Sequence, residues 1–182
     1  MEFTAILLLG GLALTRQFQA PELPDEHDYL RIAALVAGPG KPDCTAYNPD
    51  GTVTPCFPRF SIRTSGRVNA WSSGSHIQFS SAAMTELNPE QFALLAGHEI
   101  AHYYLGHSGS SAEHELEADV LGALLACRAG YRLDAAVTLF KHVHGGGNYP
   151  AIAHRRQAVL NVATGGGCSL GTAYPATLAQ AR

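Results

Sequence analysis

The sequence predicts an α+β fold, mostly helical, with a short β-sheet laid over a cleft. Three observations carry that expectation. From Asn88 onward the chain shows repeated helix starts and stops with apolar residues at helical spacing between them. Before that point, residues 67–80 (RVNAWSSGSHIQFS) place apolar residues around a Ser/Gly turn, as a short hairpin does. The 182 residues, 46% apolar and 15% charged, suit one domain able to close a hydrophobic core.

In chain order, the first element is the apolar run 5–14 (AILLLGGLAL), of the length of a signal-peptide core and too short to span a bilayer. No Lys or Arg precedes it, and Pro21 follows Ala20, so an ordinary buried N-terminal helix is the competing reading. Residues 1–20 are expected to be a leader or apolar anchor and residues 21–182 a single domain, exported to the periplasm or outside the cell. The cysteines agree with export. Cys44 and Cys56 flank a turn signal at Asn48-Pro49-Asp50-Gly51 and are expected to pair, leaving Cys127 for Cys168. Four buried free thiols are the alternative. None of the four forms a CxxC pair, which argues against a cysteine zinc site.

Residues 29–37 read as a helix that stops at Gly38-Pro39-Gly40, and 41–58 as a proline-rich loop closed by the first disulfide. Asn88, Pro89 and Gln91 form an N-cap, a first-position proline and a capping box. The helix they open is apolar nearly all round, hence buried, and stops at Gly106. Ser110 with Glu113 is expected to open a second helix running to Ala129. A third starts at Asp134 and breaks at residues 145–147; a fourth runs from Pro150 to about Ala163, and the glycine-rich tail after Gly165 is expected to be loosely ordered. Twelve Lys and Arg, scattered and outweighed to a net charge of -3, argue against nucleic acid or an anionic membrane surface as partner.

The buried helix carries GHEIAHYYLGH, residues 97–107. His98 and His102 are four apart and share a face, so both imidazoles can reach one tetrahedral zinc ion. Glu99 is rotated about 100° from them, off the metal but near enough to take a proton from an attacking water. A histidine-bearing buried helix without metal would leave the Glu99 carboxylate unexplained. His107 falls one residue out of register for HExxHxxGxxH and reads as a loop residue whose charge suits the helix C-terminus. On the next helix Glu115 and Asp119 share a face that continues through the small residues Gly122 and Ala126. That face packs closely on a neighbour, with Glu115 as the third ligand and Asp119 hydrogen-bonded to a ligand histidine. Glu113 and Glu117 read as a solvated face.

HEIAH followed by ELEAD, with VNAWSSGSHIQFSSAAM upstream, resembles the HtpX and CAAX-prenyl-protease (Ste-type) zinc metallopeptidases, which belong to the gluzincins. The resemblance spans residues 67–162. It implies one zinc held by His98, His102 and Glu115, with Glu99 as general base and Asp119 orienting a ligand histidine. The chain departs from many relatives, which place membrane helices or an occluding segment between the second histidine and the glutamate. Only twelve residues separate His102 from Glu115 here, so a minimal, soluble gluzincin core with a more open cleft and no membrane-spanning bundle is expected. The family commonly carries a His-Pro pair and an arginine in its last helical region. Here that place reads Tyr149-Pro150 with Arg155 downstream, so Tyr149, His144 and Arg155 are all candidates for the donor that stabilises the transition state.

The expected function is zinc-dependent hydrolysis of peptide or unfolded protein substrates, an extended chain pairing with the strand at Ser75, His76, Ile77 and Gln78. An inactive zinc-binding module acting through protein contacts and a metal-free helical domain are the alternatives. Oligomeric state has no signature in the sequence.

Overall fold

The computed structural model describes residues 25–47, 50–109, 111–143 and 150–165. The expected leader, the tail and Cys168 therefore lie outside the described residues, as do Tyr149 and His144. Helix α1 (Glu26–Ala37) begins earlier than the apolar spacing suggested. Asp25 and Asp28 close a capping box there, each side chain accepting from the other's backbone N–H. The expected loop that follows is a two-stranded antiparallel ribbon, β1 (Lys41–Tyr47) and β2 (Val53–Cys56), closed by the Cys44–Cys56 disulfide. Cys127 is also disulfide-bonded.

A second sheet has three strands: β3 (Arg59–Arg63), β4 (Ala70–Ser73) and β5 (His76–Ser80), in the order β3-β5-β4. The β4–β5 hairpin is the one the sequence predicts. Strand β3 was not anticipated; it lies parallel to β5, with Phe60 opposite Ile77 and Ile62 opposite Phe79. Ile77 and Phe79 are fully buried, and Phe79 packs on Phe92, which in turn meets Tyr29 edge-on; both ring centroid distances are 4.8 Å. This aromatic row joins the sheet and α1 to the central helix.

After the short helix α2 (Ser81–Glu86), that central helix is α3 (Pro89–Leu105). Its start and stop are as the sequence predicts. Asn88 and Gln91 form the capping box, and Gly106 ends the helix at φ 71°, a left-handed conformation that favours glycine. Helix α4 (Ala112–Arg128) packs along it, capped by Ser111 and not by Ser110. The two helices meet at glycine against glycine: a Cβ on Gly97 would collide with the Gly122 carbonyl, and one on Gly122 would sit 2.6 Å from the His98 backbone nitrogen. The close approach predicted from Gly122 is therefore located beside the histidine motif.

The third helix is a departure. It is only one turn, α5 (Leu133–Ala136), and continues as a 3₁₀ segment, Val137–Lys141. Helix α6 (Ile152–Thr164) closes the bundle against α4. Among the described residues no helix is long and apolar enough to cross a membrane.

Candidate metal centre

Helix α3 delivers His98 and His102 from one face, and α4 delivers Glu115 opposite them. The Gly97–Gly122 contact brings the two backbones near enough for a glutamate to reach both rings. Nε2 of His98 is 3.3 Å from Glu115 Oε2, Nε2 of His102 is 3.7 Å from Oε1, and the two Nε2 atoms are 3.0 Å apart. One ligand atom from each of the three lies within 4.8 Å of the others. Glu113 and Glu117 are exposed and stand outside this set, as the sequence predicts for them.

Behind His98 is a buried charged pair. Asp119 Oδ1 lies 3.0 Å from His98 Nδ1, and Arg155 of α6 grips the same carboxylate through Nε and Nη2 at 2.7 and 2.8 Å. Asp119 is 3% exposed and Arg155 5%. Burial alone would raise the Asp119 pKa, but the hydrogen bonds from Arg155 and His98 hold it below the ordinary carboxylate value. The sequence offered Arg155 as a transition-state donor; here its guanidinium is engaged with Asp119 and lies 3.5 Å from Glu115 Oε2, fixing both acids in place.

The donor set fits a cation. An ionised Asp119 can only accept, so the His98 proton sits on Nδ1 and Nε2 presents a lone pair. That lone pair faces another imidazole nitrogen and a carboxylate at close range, an arrangement that needs positive charge among them. Two imidazoles and one carboxylate are a donor set suited to zinc. Without metal a proton fills the role. Burial disfavours charge on His98, yet its hydrogen bonds to Asp119 and Glu115 and the nearby acids raise its pKa to about 9. Burial and the neighbouring His98 charge push His102 down to about 4.

Glu99 projects beside the set, not into it. Burial raises its pKa, opposed by the His98 charge and by a hydrogen bond from Ser72 of β4. A carboxylate poised above its usual range suits a group that must take a proton and then give it back. Glu99, His98, His102 and Glu115 line a cleft of about 1020 Å³ that continues past Ser72 toward Phe140 and Arg155.

Two expectations change. The strand expected to meet substrate, at Ser75, His76, Ile77 and Gln78, is not available: β5 has β3 on one edge and β4 on the other, and the Ser75 carbonyl accepts from Arg59. Strand β4, residues 70–73, is the sheet edge on the cleft side. His107 is the second change. It follows the Gly106 cap as expected, but its ring turns back onto the site, with Nδ1 2.9 Å from His102 Nδ1 and Nε2 3.0 Å from Glu117 Oε2. Helical spacing does not reveal this contact, because His107 lies beyond the helix end, where helical periodicity no longer applies.

The site joins a helix-borne histidine pair to a carboxylate from the next helix, with a separate glutamate beside them, a donor set compatible with a metal centre. The family model described as peptidase family M48 matches residues 51–114 and supports the M48 metallopeptidases. The matched segment holds His98, Glu99 and His102 and ends one residue before Glu115. No curated protein and no solved structure matches significantly. The M48 match implies metallopeptidase activity, and the His98, His102 and Glu115 cluster is compatible with zinc.

Proposed function

We propose that the protein is a zinc-dependent endopeptidase of the HtpX and CAAX-prenyl-protease type, binding one zinc through His98, His102 and Glu115. The observation that carries this reading is the position of Glu99, adjacent to the three ligands, excluded from them, and hydrogen-bonded to the edge strand through Ser72. A zinc ion held there would polarise the scissile carbonyl and acidify a water. Glu99 takes the proton of the attacking water and delivers it to the leaving amine. Substrate runs extended along β4, where main-chain hydrogen bonds fix its register and few side chains are read. The Cys44–Cys56 disulfide supports export to the periplasm or the cell exterior.

Glu99→Gln is the direct test. Zinc content should stay near one equivalent while hydrolysis of an unfolded protein falls about 100- to 10,000-fold, the typical worth of general-base catalysis. Wild-type hydrolysis by that variant would overturn the mechanism. Zinc-loaded wild-type protein with no hydrolysis at all would favour the inactive-module alternative.

A further inference from the structure

A second line of contacts, which the hydrolytic scheme does not use, ends on His102. The Gly106 cap turns the chain so that the His107 backbone N–H donates to the His102 carbonyl at 3.0 Å. The His107 ring then lies between His102 and Glu117, its side chain only 7% exposed. His114 stacks flat against it, with centroids 4.2 Å apart and ring planes 9° from parallel. The Nδ1 of His114 is buried with no hydrogen-bond partner among the described residues. The contact His114 makes with His107 is therefore through its face, which restrains the tilt of that ring.

Two ring nitrogens 2.9 Å apart must share one proton, and the chain of partners decides which owns it. The Glu117 carboxylate accepts, so His107 Nε2 carries the hydrogen. A neutral His107 then has a bare Nδ1, which accepts from His102 Nδ1. With its hydrogen on Nδ1, His102 presents the Nε2 lone pair toward Glu115 and His98. A ring serving only the helix dipole would be aimed at the last carbonyls of α3; this one is aimed at a ligand's second nitrogen.

We propose that His107 is a positioning residue, which with Glu117 holds His102 in the Nδ1–H tautomer and at the ring orientation that zinc binding requires. The inference rests on reading His102 as a zinc ligand. It assigns the two ligand histidines separate supports: Asp119 with Arg155 for His98, and His107 with Glu117 for His102.

The test uses the full chain, with zinc affinity measured by competition against a chromophoric chelator. His107→Ala should weaken zinc about 10- to 100-fold, the usual effect of losing a partner behind a ligand. His107→Asn places an amide oxygen where Nδ1 stood and should restore most of that loss. Equal weakening by both variants would mean the ring only fills space, and would overturn the proposal. Imidazole nitrogen NMR of zinc-loaded wild-type protein gives a readout that needs no variant: the hydrogen should be on Nδ1 of His102 and on Nε2 of His107. A hydrogen on His107 Nδ1 would also overturn it. Wild-type protein that takes up no zinc would remove the zinc reading itself, and this inference with it.

Discussion

His98 and His102 sit one turn apart on the same helix, yet the protein supports them in different ways. Asp119 and Arg155, the groups behind His98, come from two other helices, and both are buried. Behind His102 stands a ring from the same chain segment five residues on, backed by Glu117, which is about half exposed. The difference is one of dielectric. Where water is excluded, removing one charge strands the other, whereas at the rim solvent replaces a lost partner. One arm of the site is thus part of the fold, and the other can be altered with the fold intact.

The largest test of this contrast is Asp119→Ala. It leaves the Arg155 guanidinium buried without its carboxylate and takes the acceptor from His98, so about 3–5 kcal/mol of stability should be lost. Zinc binding should go with it. Replacing the pair together, Asp119→Leu with Arg155→Met, should recover much of the stability in urea unfolding but not the zinc. If Asp119→Ala unfolded within about 1 kcal/mol of wild type, below the range for a broken buried pair, the two arms would not differ in kind.

A second effect, of similar sign to lost charge pairing but smaller in reach, is visible in protein stripped of metal. The His98 pKa is raised to about 9, so its contribution is fully present below its ordinary 6.5 and is lost as pH climbs toward 9. The His102 pKa is lowered to about 4, so its contribution is present above 6.5 and is lost as pH falls toward 4. Metal-free protein should therefore be most stable near pH 6.5. It should lose on the order of 3 kcal/mol by pH 9, a little over two pKa units at 1.36 kcal/mol each. With zinc in place of that proton, the alkaline loss should disappear. Melting temperatures at pH 6.5 and 9, with and without zinc, measure this; equal stability of the metal-free protein at both would show that His98 holds no extra proton.

How far the sequence foretold the site follows the same division. The caps of α3, the histidine pair, Glu99, and the Glu115–Asp119 face with Gly122 all follow from helical period and cap chemistry, which are local. The Cys44–Cys56 bridge followed from a turn signal, also local. Strand β3 escaped although RFSIR alternates polar and apolar residues, because the run is only five residues long and its partner lies 17 residues on, across a parallel pairing. That same pairing made β5 central and moved the open edge to β4. Asp134 lies in the first turn of a helix that starts at Leu133, but no cap signal distinguishes an α turn from the 3₁₀ segment that follows it. The His107 ring escaped for another reason. Its direction depends on the left-handed turn at Gly106 and on where α4 begins, and neither is encoded in the spacing of His102 and His107.

The smallest expected effect is at the outer end of the weaker arm. Glu117 gives His107 Nε2 an acceptor at 3.0 Å, but about half of its side chain faces solvent. Water can accept from the same nitrogen once the carboxylate is gone, so Glu117→Ala should leave the His107 tautomer populated. A half-exposed hydrogen bond that water can replace is typically worth no more than about 1 kcal/mol, which corresponds to less than about a fivefold loss of zinc affinity. The effect should also shrink in concentrated salt, where the Debye length falls to about 3 Å, while the His107→Ala effect should persist because it removes a hydrogen-bond acceptor and not only a charge. Chelator competition for both variants at low and high salt separates these contributions. If Glu117→Ala cost as much zinc affinity as His107→Ala, and did so in salt, the rim carboxylate would be as necessary as the ring. The His102 arm would then be as tightly specified as the buried one, and the contrast between the two histidines would fail.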